Sequence, residues 1–123
     1  WSKTFGGTNS DIANDVQQTI NGEYLIAGHT FSNDGDITNN HGNADLWVIK
    51  LQANGNLQWQ KTYGGSGFDD AKCIQKTNDG HYMIAGNTDS NNGDITNSHG
   101  DRDTWVLKID DLGNLLQQTT DLS

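Results

Sequence analysis

Apolar residues along this chain fall in short runs of up to four residues separated by polar and glycine-rich stretches, never in a long amphipathic stretch. Tyr24-Leu25-Ile26-Ala27-Gly28 and Tyr82-Met83-Ile84-Ala85-Gly86 are apolar on both faces, as an inner strand with covered faces requires. Each follows an Asn21-Gly22 or Asp79-Gly80 pair, the dipeptides that best favour a tight hairpin. Before them, residues 11–19 and 69–77 read as strands, the first with Ile12, Asn14, Val16 and Gln18 alternating onto one face. Residues 46–51 and 104–109 are further strands. In the first of these, Trp47, Ile49 and Leu51 lie opposite Val48 and Lys50. Asn54-Gly55-Asn56 and Leu112-Gly113-Asn114 turn the chain into fourth strands at residues 57–63 and 115–119. Trp1-Ser2-Lys3-Thr4-Phe5 alternates bulky and polar residues up to Gly6-Gly7 and reads as one more strand. No window carries a helical period.

The elements recur at an interval of 58 residues. Aligning residues 3–60 with 61–118 gives 31 identities in 58 positions without a gap. The longest match is Gly35-Asp36-Ile37-Thr38-Asn39 through Trp47-Val48 against Gly93-Asp94-Ile95-Thr96-Asn97 through Trp105-Val106. The expected fold is therefore all-β, with two four-stranded antiparallel repeat units. Four strands per repeat suggest β-propeller blades, with a duplicated β-sandwich as the alternative. Residues 1–7 would be the last strand of a preceding blade, 8–65 repeat 1 and 66–123 repeat 2. A propeller ring takes about 4–8 blades. The expected partners are thus other repeats, of the same chain or of identical chains, that close a ring.

Seven basic and 16 acidic residues leave a formal charge of −9, which opposes nucleic acid and anionic membrane as partners. No apolar run is long enough to insert as a membrane helix. With no proline, the turns must rest on glycine, asparagine and aspartate. The single cysteine, Cys73, sits in a strand-like run and is expected to be a buried, inert thiol.

Three motifs carry a resemblance. They are Trp-x-Lys-Thr-Phe/Tyr-Gly-Gly at 1–7 and 59–65, Asp/Asn-Gly-x-Tyr-x-Ile-Ala-Gly-x-Thr at 21–30 and 79–88, and Gly-Asp-Ile-Thr-Asn-x-His-Gly-x-x-Asp-x-Trp-Val-x-Lys at 35–50 and 93–108. Together they resemble a family of secreted bacterial proteins built from tandem units of about sixty residues and interpreted as β-propellers. The resemblance implies a secreted or cell-surface protein whose propeller is joined to other modules, with more repeats than two. It implies no particular activity.

The long loops, residues 31–45 and 89–103, hold the candidate site. Asp34, Asp36 and Asp45, with Asp94, Asp101 and Asp103 in the second copy, supply hard oxygen ligands beside a glycine, a composition suited to Ca²⁺. The alternative is that these Asp and Asn residues cap their own turns. Asn33, His41, Asn91, His99 and Arg102 would complete a ligand-binding rim, whereas the unrepeated His29 and His81 read as incidental. The tryptophans suit packing between sheets better than sugar-stacking platforms. No nucleophile elbow, phosphate loop or isolated acid pair is present, so no catalytic residue is assigned. The expected function is a non-enzymatic extracellular module that binds glycan or protein. A structural spacer, with or without Ca²⁺, and a hydrolase are the alternatives.

Overall fold

The structure, a computed structural model, describes residues 1–120. It contains eight strands: β1 (Asp11–Gln18), β2 (Tyr24–Thr30), β3 (Asp45–Leu51), β4 (Leu57–Tyr63), β5 (Asp69–Lys76), β6 (Tyr82–Thr88), β7 (Asp103–Ile109) and β8 (Leu115–Thr119). They form two antiparallel meanders, β1-β2-β3-β4 (sheet 1) and β5-β6-β7-β8 (sheet 2). The two-repeat, all-β expectation holds, and the pairings recur at the same interval: Gly28 faces Trp47 and Gly86 faces Trp105.

The core lies between the sheets. Leu25, Ala27, Leu46 and Val48 project from sheet 1 onto Ile84, Trp105, Leu107 and Ile109 of sheet 2. On the other face of sheet 1, Trp47, Ile49 and Leu51 form a second cluster with Ile37, flanked by Phe5, Tyr24 and Ile26. The strand alternation read from the sequence thus assigns the two faces of β3 correctly, and both faces of β2 are covered as expected. Lys50 is a charged side chain drawn into this junction. It is 1% exposed, and its ammonium reaches Asp111 at 2.7 Å and Glu23 at 3.3 Å. Those carboxylates compensate the desolvation of the ammonium and hold its pKa above the usual lysine value.

Three local expectations change. Residues 1–5 form no strand, because among the described residues no strand pairs with them. They lie on sheet 1 in the place that residues 59–63 take on sheet 2. The Trp1 indole donates to Ala53 O at 3.1 Å, as Trp59 donates to Asp111 O at 3.2 Å. Gly6 N donates to Asp36 Oδ2 at 2.9 Å, as Gly64 N does to Asp94 Oδ2. The alternation of β1 is broken by a bulge between Ala13 and Asp15, and β5 carries the same bulge between Ala71 and Cys73. That bulge is why Cys73 is exposed and free instead of buried.

The bulges are built around glycine. A Cβ on Gly86 would lie 1.8 Å from Asp70 O, and on Gly28 1.8 Å from Ile12 O. Gly86→Ala must therefore open the β5–β6 ladder, and we expect a loss of about 3 kcal/mol or more in urea unfolding. Gly80, in a hairpin turn at φ +83°, has no atom within 4 Å of such a Cβ. There, alanine should cost only the conformational penalty of about 1–2 kcal/mol. Equal losses at the two positions would contradict the bulge packing.

Candidate functional site

Each repeat anchors its strand ends with one aspartate. In repeat 2, Asp69 is fully buried and accepts Thr88 Oγ1 at 2.5 Å, Ser90 Oγ at 3.0 Å and Gly65 N at 3.0 Å. In repeat 1, Asp11 accepts Thr30 Oγ1 at 2.5 Å, Ser32 Oγ at 3.2 Å and Gly7 N at 2.9 Å. The threonine hydroxyl in turn accepts Ser32 N or Ser90 N, each at 3.0 Å. Sequence reasoning missed this network. Its signal was present, since all three side-chain types recur at the interval of 58 residues.

The carboxylates proposed as Ca²⁺ ligands are distributed among separate turns. Asp34 accepts Thr8 N at 2.8 Å and Thr8 Oγ1 at 2.9 Å, and these bonds hold its pKa below the ordinary carboxylate value. Asp36 and Asp94 hold the Gly6 and Gly64 amides. Asp45 and Asp103 accept His41 N and His99 N, both at 2.8 Å, and so close the ends of the long loops. Asn33 Oδ1 accepts Asn40 N at 3.2 Å, while Asn91 and Asp101 are exposed. Among the described residues, no three His, Cys, Asp or Glu side chains are grouped so as to hold a metal ion.

Asp45 differs from its counterpart Asp103. It is fully buried where sheet 1 meets sheet 2, and its Oδ1 is buried without a hydrogen-bond partner. A Cβ on Gly64 would stand 3.0 Å from Asp45 Oδ1 and 2.3 Å from Asp69 Oδ2, so both carboxylates border this glycine. His41 Nδ1 lies 2.5 Å from Asp45 Oδ2. Burial pushes the Asp45 carboxyl up to about 6 in spite of its bonds to His41, and the Asp69 charge adds to the rise. Asp69 is also raised by burial, against the pull of its three donors.

A second group gathers residues in which the repeats disagree. Above the junction, the rings of His29 and Phe31 meet edge-on at 5.7 Å, and Phe68 lies 5.1 Å from His29 and 5.7 Å from Phe31. The Arg102 guanidinium sits 5.5 Å above the Phe68 ring and makes two bonds to Asp89, at 3.0 and 3.2 Å. Their counterparts at the interval of 58 residues are Asn87 for His29, Asp89 for Phe31, Ser10 for Phe68 and Ala44 for Arg102. His29 is therefore not incidental. It is 8% exposed, desolvation lowers its pKa, and its Nδ1 is buried without a partner. Phe31 and Phe68 are half-buried, and Arg102 is exposed.

Of the rim residues read from the sequence, the structure brings only Arg102 to this patch. Phe31, Phe68 and Asp89 come from loops and strand ends far apart in sequence, and their departure from the repeat was the only mark they carried. A comparison of the chain with protein-family models and with curated proteins finds no match.

Proposed function

We propose that this chain is a non-enzymatic binding module of a secreted or cell-surface protein. Its two sheets are neighbouring blades of a β-propeller, and it takes a neutral glycan at the junction patch of Phe31, Phe68, Asp89 and Arg102. One observation carries this reading. Asp69, Thr88, Ser90 and Trp105 keep the residues of the first repeat and hold turns and core, whereas His29, Phe31, Phe68 and Arg102, at each of which the repeats differ, meet on one patch. Partly exposed aromatic rings suit the apolar face of a sugar ring, and a planar guanidinium–carboxylate pair suits its hydroxyls. The blade reading is supported by the four-stranded meanders, their face-to-face packing and the sequence resemblance. Export is supported by that resemblance and is compatible with the acidic composition.

Glycan-array screening followed by calorimetry tests the reading. Phe68→Ala and Arg102→Ala should each weaken binding by about tenfold or more, while His81→Ala, at the opposite end of β6 from Asp89, should leave it unchanged. Binding that survives both patch substitutions removes the patch. Absence of any glycan ligand removes the carbohydrate reading and favours a spacer, for which the repeated Asp–Thr–Ser networks would serve as stiffeners.

A further inference from the structure

The junction between the sheets has an unfilled counterpart at each end of the molecule. Sheet 2 receives Leu25, Ala27, Leu46 and Val48 against Tyr82, Ile84, Trp105, Leu107 and Ile109. The same surface of sheet 1, formed by Tyr24, Ile26, Trp47, Ile49 and Leu51, faces an open groove of about 320 Å³ rimmed by Val16. The residues that would fill it by repetition are Met83, Ala85, Thr104 and Val106. They lie on the outward face of sheet 2, with Met83 and Val106 lining a shallow depression beside Lys108. Socket and plug are therefore both present in one chain, at opposite ends.

We propose that this chain binds a second copy of itself head to tail, the Met83–Val106 face of one copy entering the Trp47 groove of the next. Continuity with the internal junction supports this occupant. Tyr24, Ile26 and Trp47 are identical to Tyr82, Ile84 and Trp105, while Ile49 and Leu51 match Leu107 and Ile109 in character. Of the plug, Ala85 and Val106 match Ala27 and Val48, Met83 stands for Leu25, and only Thr104 for Leu46 loses apolar character. Such contact joins unlike surfaces, so it propagates or closes a ring instead of stopping at a symmetric pair. Head-to-tail docking follows from the serial packing of the repeats and does not depend on the ligand at the rim.

One segment must yield. The repeat interval places Gln117 to Thr120 of the incoming copy where Trp1 to Thr4 of the receiving copy lie. Residues 1–4 are exposed, and they are held by the bond from Trp1 to Ala53, the edge-on contact of the Trp1 and Tyr24 rings at 6.0 Å, and the bond from Lys3 to Asn56 at 2.8 Å. Docking lifts them off, so they act as a loose cover on the groove. The charge of −9 on each copy opposes association, so salt should strengthen it.

Sedimentation velocity at low and at 0.5 M salt, about the range over which screening becomes nearly complete, tests the proposal on the full chain. The wild type is expected to self-associate beyond a dimer as concentration rises. Val16→Glu spoils the socket and Val106→Glu the plug, and each alone should weaken self-association by at least about 30-fold. Mixed one to one, the two variants should form a dimer and nothing larger, since one good plug and one good socket remain. Ile12→Glu and Met83→Glu form a second such pair in case either first variant fails to fold. Deletion of residues 1–4 should tighten association. A wild type that stays monomeric up to about 1 mM, a mixture that stays monomeric, or association lost on that deletion would each overturn the proposal. Phe68→Ala should leave sedimentation unchanged, which keeps failure here distinct from failure at the rim.

Discussion

Trp105→Ala is expected to lower the unfolding free energy by about 3–5 kcal/mol, the range for deleting a buried aromatic. Against a total stability of about 5–15 kcal/mol, that loss brings the chain close to unfolding at room temperature. Trp105 is fully buried in the junction core, and its indole N–H donates to Gln118 Oε1 at 3.0 Å. Truncation leaves a sealed void between two sheets that cannot collapse without parting Leu25 and Val48 from Leu107. The same change at Trp47 should cost less, about 1–3 kcal/mol. Trp47 has an equivalent bond to Gln60 Oε1 at 2.9 Å, but one side of its ring borders the open groove. Water can enter the space it leaves, so the loss is nearer to transfer alone than to transfer plus cavity. Urea unfolding at low protein concentration and low salt compares the two without a docked neighbour. Equal losses would mean that the groove is closed in solution and that the two faces of sheet 1 are alike.

This asymmetry marks where sequence reading stops. The placement of Trp47 and Trp105 inside alternating strands identified both as packing residues, and the two are indistinguishable at the level of pattern. What separates them is which sheet has a neighbour, a property of the chain's arrangement in space. The same holds for residues 1–5, whose alternation is that of a strand while no described strand pairs with them. Cys73 failed for a different reason: a bulge adds one residue to the period, and a count by twos then assigns the wrong face. The carboxylates of the long loops were legible as a set, but their partners were not. An aspartate that caps a turn and one that ligates a cation share the same composition, and only the positions of Gly6, Thr8 and His41 decide. The rim patch required the fold outright, because Phe31, Phe68, Asp89 and Arg102 meet only when β5 starts beside β3, where Asp69 N donates to Ala44 O at 2.8 Å.

Stability should fall as pH rises between about 4 and 6, and Asp45 is the largest identified source. In the unfolded chain its carboxyl titrates near 3.9, whereas burial raises it to about 6 in the folded state. The folded chain therefore binds this proton more tightly, so the contribution is complete below the unfolded value and lost as pH passes through the folded one. The rise from about 3.9 to about 6 corresponds to about 3 kcal/mol. Asp69, likewise raised, acts in the same direction. His41 faces Asp45 from the loop at 2.5 Å, and its bonds limit the rise. Asp34, Asp79, Asp89 and Asp110 are held below their ordinary values and desolvation lowers His29, so these groups favour the folded state at higher pH and their contribution is lost as acid protonates them. Asp45 and Asp69 therefore draw the stability maximum toward lower pH against the pull of these groups. Asp45→Asn isolates the cause, since its amide oxygen can still accept His41 N while the buried charge is gone. The variant should match or exceed the wild type in thermal stability at pH 7.5, and its melting temperature should depend less on pH from 4.5 to 7.5, a window set by the rise from about 3.9 to about 6. Retention of the full wild-type slope would mean that Asp45 stays charged at no cost, and that a counter-ion or donor reaches its buried Oδ1 in solution.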